Sequence, residues 1–203
     1  MATKTNKIMA AVLVIALIVA LGVFIFVNLP KQTTPPEGTT QQGTTILTIT
    51  VNGHQTNYTL AQLESLESFT AKGGYRTNLP AIKGQGNYTG VRIQTFISTL
   101  SGVPNNYSIM VFSSDGSNRT FNHSTILGNV DTYDPENASD ARPIGYGGLT
   151  MVLAYKYEGE YLNESKDGKL KIVFLDDQGS ITSSGLWWKY VVAIQVISER
   201  IIT

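Results

Sequence analysis

Residues 46–67 read ILTITVNGHQTNYTLAQLESLE, and within them the hydrophobic period changes from two to nearly four. Leu47, Ile49 and Val51 alternate with Thr48 and Thr50, the pattern of a strand with one buried face. Asn52-Gly53 follows, a pair that tolerates the positive φ angles of a two-residue hairpin turn, and QTNYT supplies a short return strand. Thr59 and Gln62 then have the spacing of a capping box, and Leu60, Leu63 and Leu66 fall at helical intervals. A strand, a tight turn, a second strand and a capped helix are thus expected in immediate succession.

The same reading continues downstream. Ile93, Phe96, Ile97 and Leu100 in RIQTFISTL predict a second helix, with Gly102 at its C-terminal cap. YSIMVFS (107–113), a turn at Ser114-Asp115-Gly116, and NRTFN predict another hairpin. LTMVLAYKY, KLKIVFLD and WKYVVAIQVI are expected as later strands. The last two are apolar on both faces and are expected near the centre of the sheet. Two short helices among seven or eight strands make an α+β, mostly β domain over residues 46–200, long enough for a core of its own.

Upstream, residues 8–27 (IMAAVLVIALIVALGVFIFV) contain no charge and show no polar face. About 20 such residues span the hydrocarbon of a bilayer. The segment is longer than the apolar core of a cleaved signal peptide and lacks a small-x-small cleavage pattern after it, so an uncleaved signal anchor is expected. Lys4 and Lys7 in the tail 1–7 would hold the N-terminus in the cytoplasm. Residues 28–45 (NLPKQTTPPEGTTQQGTT) form a Thr/Pro/Gly-rich linker that cannot bury a core.

The chain has 15 basic and 15 acidic residues, and setting Lys4 and Lys7 aside leaves the outer part at a formal net charge of −2. No basic surplus exists to attract nucleic acid. With no cysteine, disulfides, thiolate metal sites, thiol nucleophiles and a lipid-anchored N-terminal cysteine are excluded. Asn-x-Ser/Thr triplets occur at Asn57, Asn87, Asn106, Asn118, Asn122, Asn137 and Asn163, none with proline in the middle. Seven exceed what this Ser/Thr content gives by chance, and N-linked glycans on an exported surface explain them. Many sequons, a bare signal anchor and no disulfide together point to an archaeal cell-surface protein.

Catalytic signatures are sparse. His54 and His123 are too few for a usual zinc site and are expected to be exposed. No G-x-S-x-G elbow is present. Asp131, Asp134, Glu136 and Asp140 lie in one loop, but without the spacing of an EF-hand. Trp187-Trp188 could stack on sugars, although one of two adjacent strand tryptophans must face inward. KGQGNYTGV (83–91) matches neither a dinucleotide fingerprint nor a P-loop, and is expected as an exposed turn carrying a glycan acceptor.

The order of these pieces resembles the molybdopterin-binding domain of sulfite-oxidase-type oxidoreductases over nearly all of residues 46–197. The resemblance rests on Gly90-Val91 opening a helix, Asp115-Gly116-Ser117 where the family has Asp-Gly-Tyr, and Leu153-Ala154-Tyr155 followed by Glu158-Gly159-Glu160-Tyr161-Leu162. Lys189-Tyr190-Val191 and Ile194 match a closing strand. In that family a cysteine thiolate binds molybdenum, at a place corresponding to Pro80–Gly86, and this chain has none. The family's Gly-x-Pro-x-Arg corresponds to Gly168-Lys169-Leu170-Lys171, with the proline lost and the arginine replaced by Lys171, which lacks the bidentate fork.

The resemblance therefore implies a non-catalytic, membrane-anchored relative with no cofactor and a binding or structural role, its partner a cell-surface protein or a sugar. The alternative it leaves open is a molybdopterin binder in which Lys83, Lys171 and Lys189 hold the phosphate. A pilin-like filament subunit is a further alternative, though Lys7-Ile8 offers no prepilin cleavage site.

Overall fold

The computed structural model describes residues 43–199. The expected tail 1–7, the anchor 8–27 and most of the linker 28–45 lie outside the described residues.

The opening stretch folds as its periodicity predicts. β1 (Thr45–Val51) and β2 (His54–Thr59) form a hairpin around Asn52 and Gly53, whose φ angles are 50° and 82°. α1 (Leu60–Glu64) is closed by a complete capping box. Gln62 N donates to Thr59 Oγ1 at 3.2 Å, and Thr59 N donates to Gln62 Oε1 at 2.8 Å. β3 (Ser68–Arg76) and β4 (Ile82–Arg92) follow, then α2 (Ile93–Ser98). α2 ends two residues before the last apolar residue of the stripe, Leu100. Thr99 closes it, and Gly102 at φ 78° serves the next turn, its carbonyl accepting from Asn52 Nδ2 at 2.7 Å.

β5 (Tyr107–Ser113) and β6 (Asn118–Phe121) make the second hairpin, and α3 (His123–Ile126) is a single turn capped by Asn122. The remaining strands are β7 (Asp131–Thr132), β8 (Gly145–Tyr146), β9 (Thr150–Tyr157), β10 (Glu160–Tyr161), β11 (Lys171–Leu175), β12 (Ile181–Ser183) and β13 (Val191–Ser198). The architecture is mostly β with mixed sheets and a few short helices.

One sheet has the order β2-β1-β13-β5-β6, with β1 and β13 parallel. A second runs β10-β9-β4-β3-β12, and β11 also pairs with β9. Reciprocal 3.0 Å hydrogen bonds between Lys72 and Asp176 join β3 to the end of β11. β3, β4, β9 and β11 therefore close into a small barrel.

The larger core lies between this barrel and the five-stranded sheet. Leu47, Ile49, Ile109, Val111 and Ile194 face Leu153, Ile172 and Phe174, with Leu63, Ile93, Phe96 and Ile97 from the helices. Full burial of each aliphatic side chain here contributes roughly 1.5–3 kcal/mol. A smaller cluster of Ala71, Tyr88, Val152, Ala154, Val173, Leu175 and Trp187 fills the barrel.

Standing between two cores, all five residues of β11 are buried, as its two-sided apolar pattern predicts. β13 differs: it is central in its sheet, yet Val192 and Gln195 are exposed on the outer face. KGQGNYTGV also departs from expectation, since it lies inside β4 rather than in a turn. Strand geometry breaks at two places: β4 shifts register against β3 around Gly84, whose φ is 62°, and against β9 between Thr89 and Gly90, where a Cβ on Gly90 would collide with the Leu153 carbonyl.

Candidate functional site

Lys171 begins β11 and faces the barrel interior with Val173 and Leu175, an ammonium where the alternation calls for an apolar side chain. Its side chain is 4% exposed. The nitrogen lies 5.2 Å from the Trp187 ring centroid, 5.5 Å from Tyr88 and 5.8 Å from Tyr75. Those rings support one another. Tyr75 and Trp187 are 5.0 Å apart and Tyr88 and Trp187 5.3 Å, and Trp187 Nε1 donates to the buried Thr182 Oγ1 at 2.7 Å. A desolvated ammonium among such rings gains up to about 2 kcal/mol from each favourable face.

The counter-ion is Asp167. Its Oδ1 accepts from Lys171 Nζ at 2.9 Å and lies 3.0 Å from Lys189 Nζ. A helical turn delivers it: Asp167 N and Lys166 N donate to Asn163 O, and Asn163 Oδ1 accepts from Ser165 N. The turn is held against the segment before β13 by Tyr190 N donating to Asp167 O and Tyr190 OH donating to Ser165 O, both at 2.8 Å.

Burial pushes the Lys171 ammonium below the usual lysine range, with Asp167 opposing that drop. Burial acts on Asp167 in the raising direction, but hydrogen bonds and charge from Lys171 and Lys189 outweigh it and hold the carboxyl below the usual carboxylate range. Burial, and then the neighbouring Tyr157, raise the Tyr88 phenol above its ordinary value. Tyr88 therefore remains a donor, and it donates to Gly84 O at 2.9 Å. Tyr157 OH donates to Gln85 O at 2.8 Å. The glycine-rich part of β4 is thus tied down by two tyrosines, and a Cβ on Gly84 would stand 2.7 Å from the Tyr75 ring.

Of the three expected anion-binding lysines, Lys171 and Lys189 share one carboxylate, while Lys83 is exposed on β4 opposite Tyr75. Tyr75, Tyr88 and Asp167 escaped the sequence reading. The available signal was a lysine inside the apolar alternation of KIVFL, with an aspartate four residues before it.

The tryptophan pair does not form a stacking platform. Trp187 is 6% exposed with its N–H engaged, and Trp188 Nε1 is buried without a hydrogen-bond partner among the described residues. His123 is half-buried rather than exposed, its ring 5.1 Å from Tyr107, whereas His54 is exposed as expected. In the acidic loop, Asp140 is taken up by Arg142 and Asp134 accepts from Glu136 N. No group of three metal-ligating side chains occurs among the described residues.

Asn57, Asn118, Asn122, Asn137 and Asn163 are exposed, and Asn106 is half-buried. Asn87 is half-buried, with Nδ2 3.4 Å from Glu158 Oε2. Two open clefts adjoin around Lys169 and Glu164. One, of about 550 Å³, runs along Thr45–Thr48 and Tyr190–Ala193; the other, of about 330 Å³, is lined by Leu60, Tyr155 and Tyr161.

No protein-family profile and no curated protein sequence matches the chain. Among solved structures it is similar to the sulfane dehydrogenase SoxCD from Paracoccus pantotrophus, with a TM-score of 0.52 and 13% identity. That match covers 77% of this chain and 39% of the dehydrogenase chain, and at this identity the likeness is one of fold alone.

Proposed function

We propose that the chain is a membrane-anchored, extracellular glycoprotein whose domain descends from the sulfite-oxidase-type fold and has lost its cofactor, retaining a binding or structural role at the cell surface. The fold-level likeness to a sulfane dehydrogenase agrees with that descent. The observation that carries the reading is the fate of Lys171. The resemblance gives this position to an arginine that meets an anionic pterin, yet its ammonium points into an aromatic cage and is neutralised by Asp167.

Asp167 also engages Lys189 and adds a negative charge beside two of the three candidate cations. These residues do not fit a phosphate-bearing pterin, and oxygen or nitrogen side chains are poor substitutes for the missing thiolate. The apolar segment 8–27 and the seven sequons support the membrane and surface placement.

The test is elemental and pterin analysis of full-length protein extracted from membranes of its native host, together with glycopeptide mapping. Background molybdenum, no extractable pterin and sugar on several sequons are expected. Stoichiometric molybdenum or pterin would overturn the loss of the cofactor. Recovery of the chain from the soluble cytoplasm would overturn its location.

A further inference from the structure

We propose that Asn57 and Asn118 carry glycans that cap the two open edges of the five-stranded sheet and keep the domain from pairing edge to edge. The proposal rests on the exported, glycosylated reading above.

Among the described residues, the edges of that sheet are β2 and β6. Register places Asn57 opposite Thr48, Thr48 opposite Ala193, Ala193 opposite Phe112, and Phe112 opposite Asn118. The two sequons therefore stand at opposite ends of one cross-strand row, about 19 Å apart at the usual interstrand spacing. The row lies on the outer face, because the alternate positions Leu47, Ile49 and Val51 face the core. Both asparagines are exposed. Thr48 Oγ1 donates to Asn57 Oδ1 at 2.9 Å, which leaves Nδ2, the atom that carries an N-linked sugar, outside that bond.

An open strand edge is a template for another chain, and proteins blunt it with charge, proline, bulges or brevity. β2 (HQTNYT) has six residues without an acidic or basic side chain other than its first-position histidine, and without proline. Its Thr and Tyr content favours strand pairing. Between the edges the outer face carries half-buried Phe112 and, at the β13 bulge, Val192, which is 40% exposed.

The second sheet offers a contrast. Its edges β10 and β12 have two and three residues, too short to template pairing, and neither carries a sequon. Asn87, on the interior strand β4, is half-buried beside Glu158. The two exposed strand sequons thus fall on the two edges of the five-stranded sheet, the six-residue β2 and the four-residue β6, which also carries Arg119.

Glycopeptide mass spectrometry of full-length protein from the native host should find sugar on Asn57 and Asn118. Light scattering after size exclusion in detergent should find a monomer. The same chain made in a host without N-glycosylation, and an Asn57→Gln/Asn118→Gln variant from the native host, should gain at least about twofold in protein mass through edge pairing. Asn137→Gln, which removes a loop sequon, should remain monomeric.

Bare Asn57 and Asn118 with sugar on other sequons would overturn the proposal, as would a monomeric unglycosylated chain. If all seven sites are bare, the glycoprotein reading falls first and this one with it. If the double variant loses its far-UV circular dichroism, the unglycosylated wild-type chain decides.

Discussion

Asp167 and Lys171 make unequal demands on the fold, and their substitution separates packing from charge. Asp167→Asn leaves an ammonium in the barrel with no carboxylate, and removing one partner of a buried pair costs about 3 kcal/mol. Lys171→Met fills the cage with an apolar chain of similar length and leaves Asp167 with Lys189, so its cost should stay within about 1 kcal/mol. Urea midpoints in the order wild type, close to Lys171→Met, well above Asp167→Asn are expected; the reverse order would mean that the cage needs its cation.

The pH dependence follows from the same two groups. The Asp167 pKa is depressed in the fold, so its stabilisation is present above the ordinary carboxylate range. It is lost as pH falls from about 4 through the lower folded value. The Lys171 pKa is also depressed, so just below about 10.4 the unfolded chain binds a proton that the folded chain gives up. Stability should therefore rise with pH across that window, and denaturation series should show the rise vanish in Lys171→Met. The cage itself was illegible in the sequence because Tyr75, Tyr88 and Trp187 arrive from separate parts of the chain. Only the lysine's place in an apolar alternation marked the position.

Elements whose signals are local emerged where the sequence puts them. The Asn52-Gly53 turn, the Thr59–Gln62 capping box and β5 depend on neighbours within a few residues. β3 was missed for the complementary reason. SFTAKGGYR has no clean alternation, and its burial comes from closing the barrel against β4 and β11. The β4 stretch looked like a turn because it is glycine-rich, yet its glycines admit close neighbours. Gly90 is the sharpest case: Gly90→Ala presses a methyl group onto the Leu153 backbone, which cannot rotate away. A loss of about 2–3 kcal/mol is expected in chemical denaturation. An unchanged midpoint would show that β4 and β9 can separate at little cost.

On the scale of the molecule, β13 joins the two hairpins of the five-stranded sheet, lying between β1 and β5. A chain ending at Tyr190 loses that central strand and leaves Ile49, Ile109 and Val111 without their cover from Ile194 and Val196. It should fail to fold, giving no cooperative transition and rapid cleavage by a nonspecific protease. A cooperative melt of the shortened chain would refute a continuous core. The long-range β1–β13 pairing also places the full domain among slow folders, in the millisecond-to-second range or beyond.

That pairing has a biosynthetic consequence. Of the five strands in this sheet, the one in the middle is the last to be made. Asn57 leaves the ribosome 141 residues ahead of Ser198, and at about 5–20 residues per second the interval is roughly 7–30 s. Through that interval β1 lacks its partner on the other side, and the Asn57 sequon is presented on an unfinished sheet. On the proposed glycoprotein reading, a glycosyltransferase would have many seconds of access to Asn57 before the native face forms, so the order of synthesis would give sugar a head start over strand.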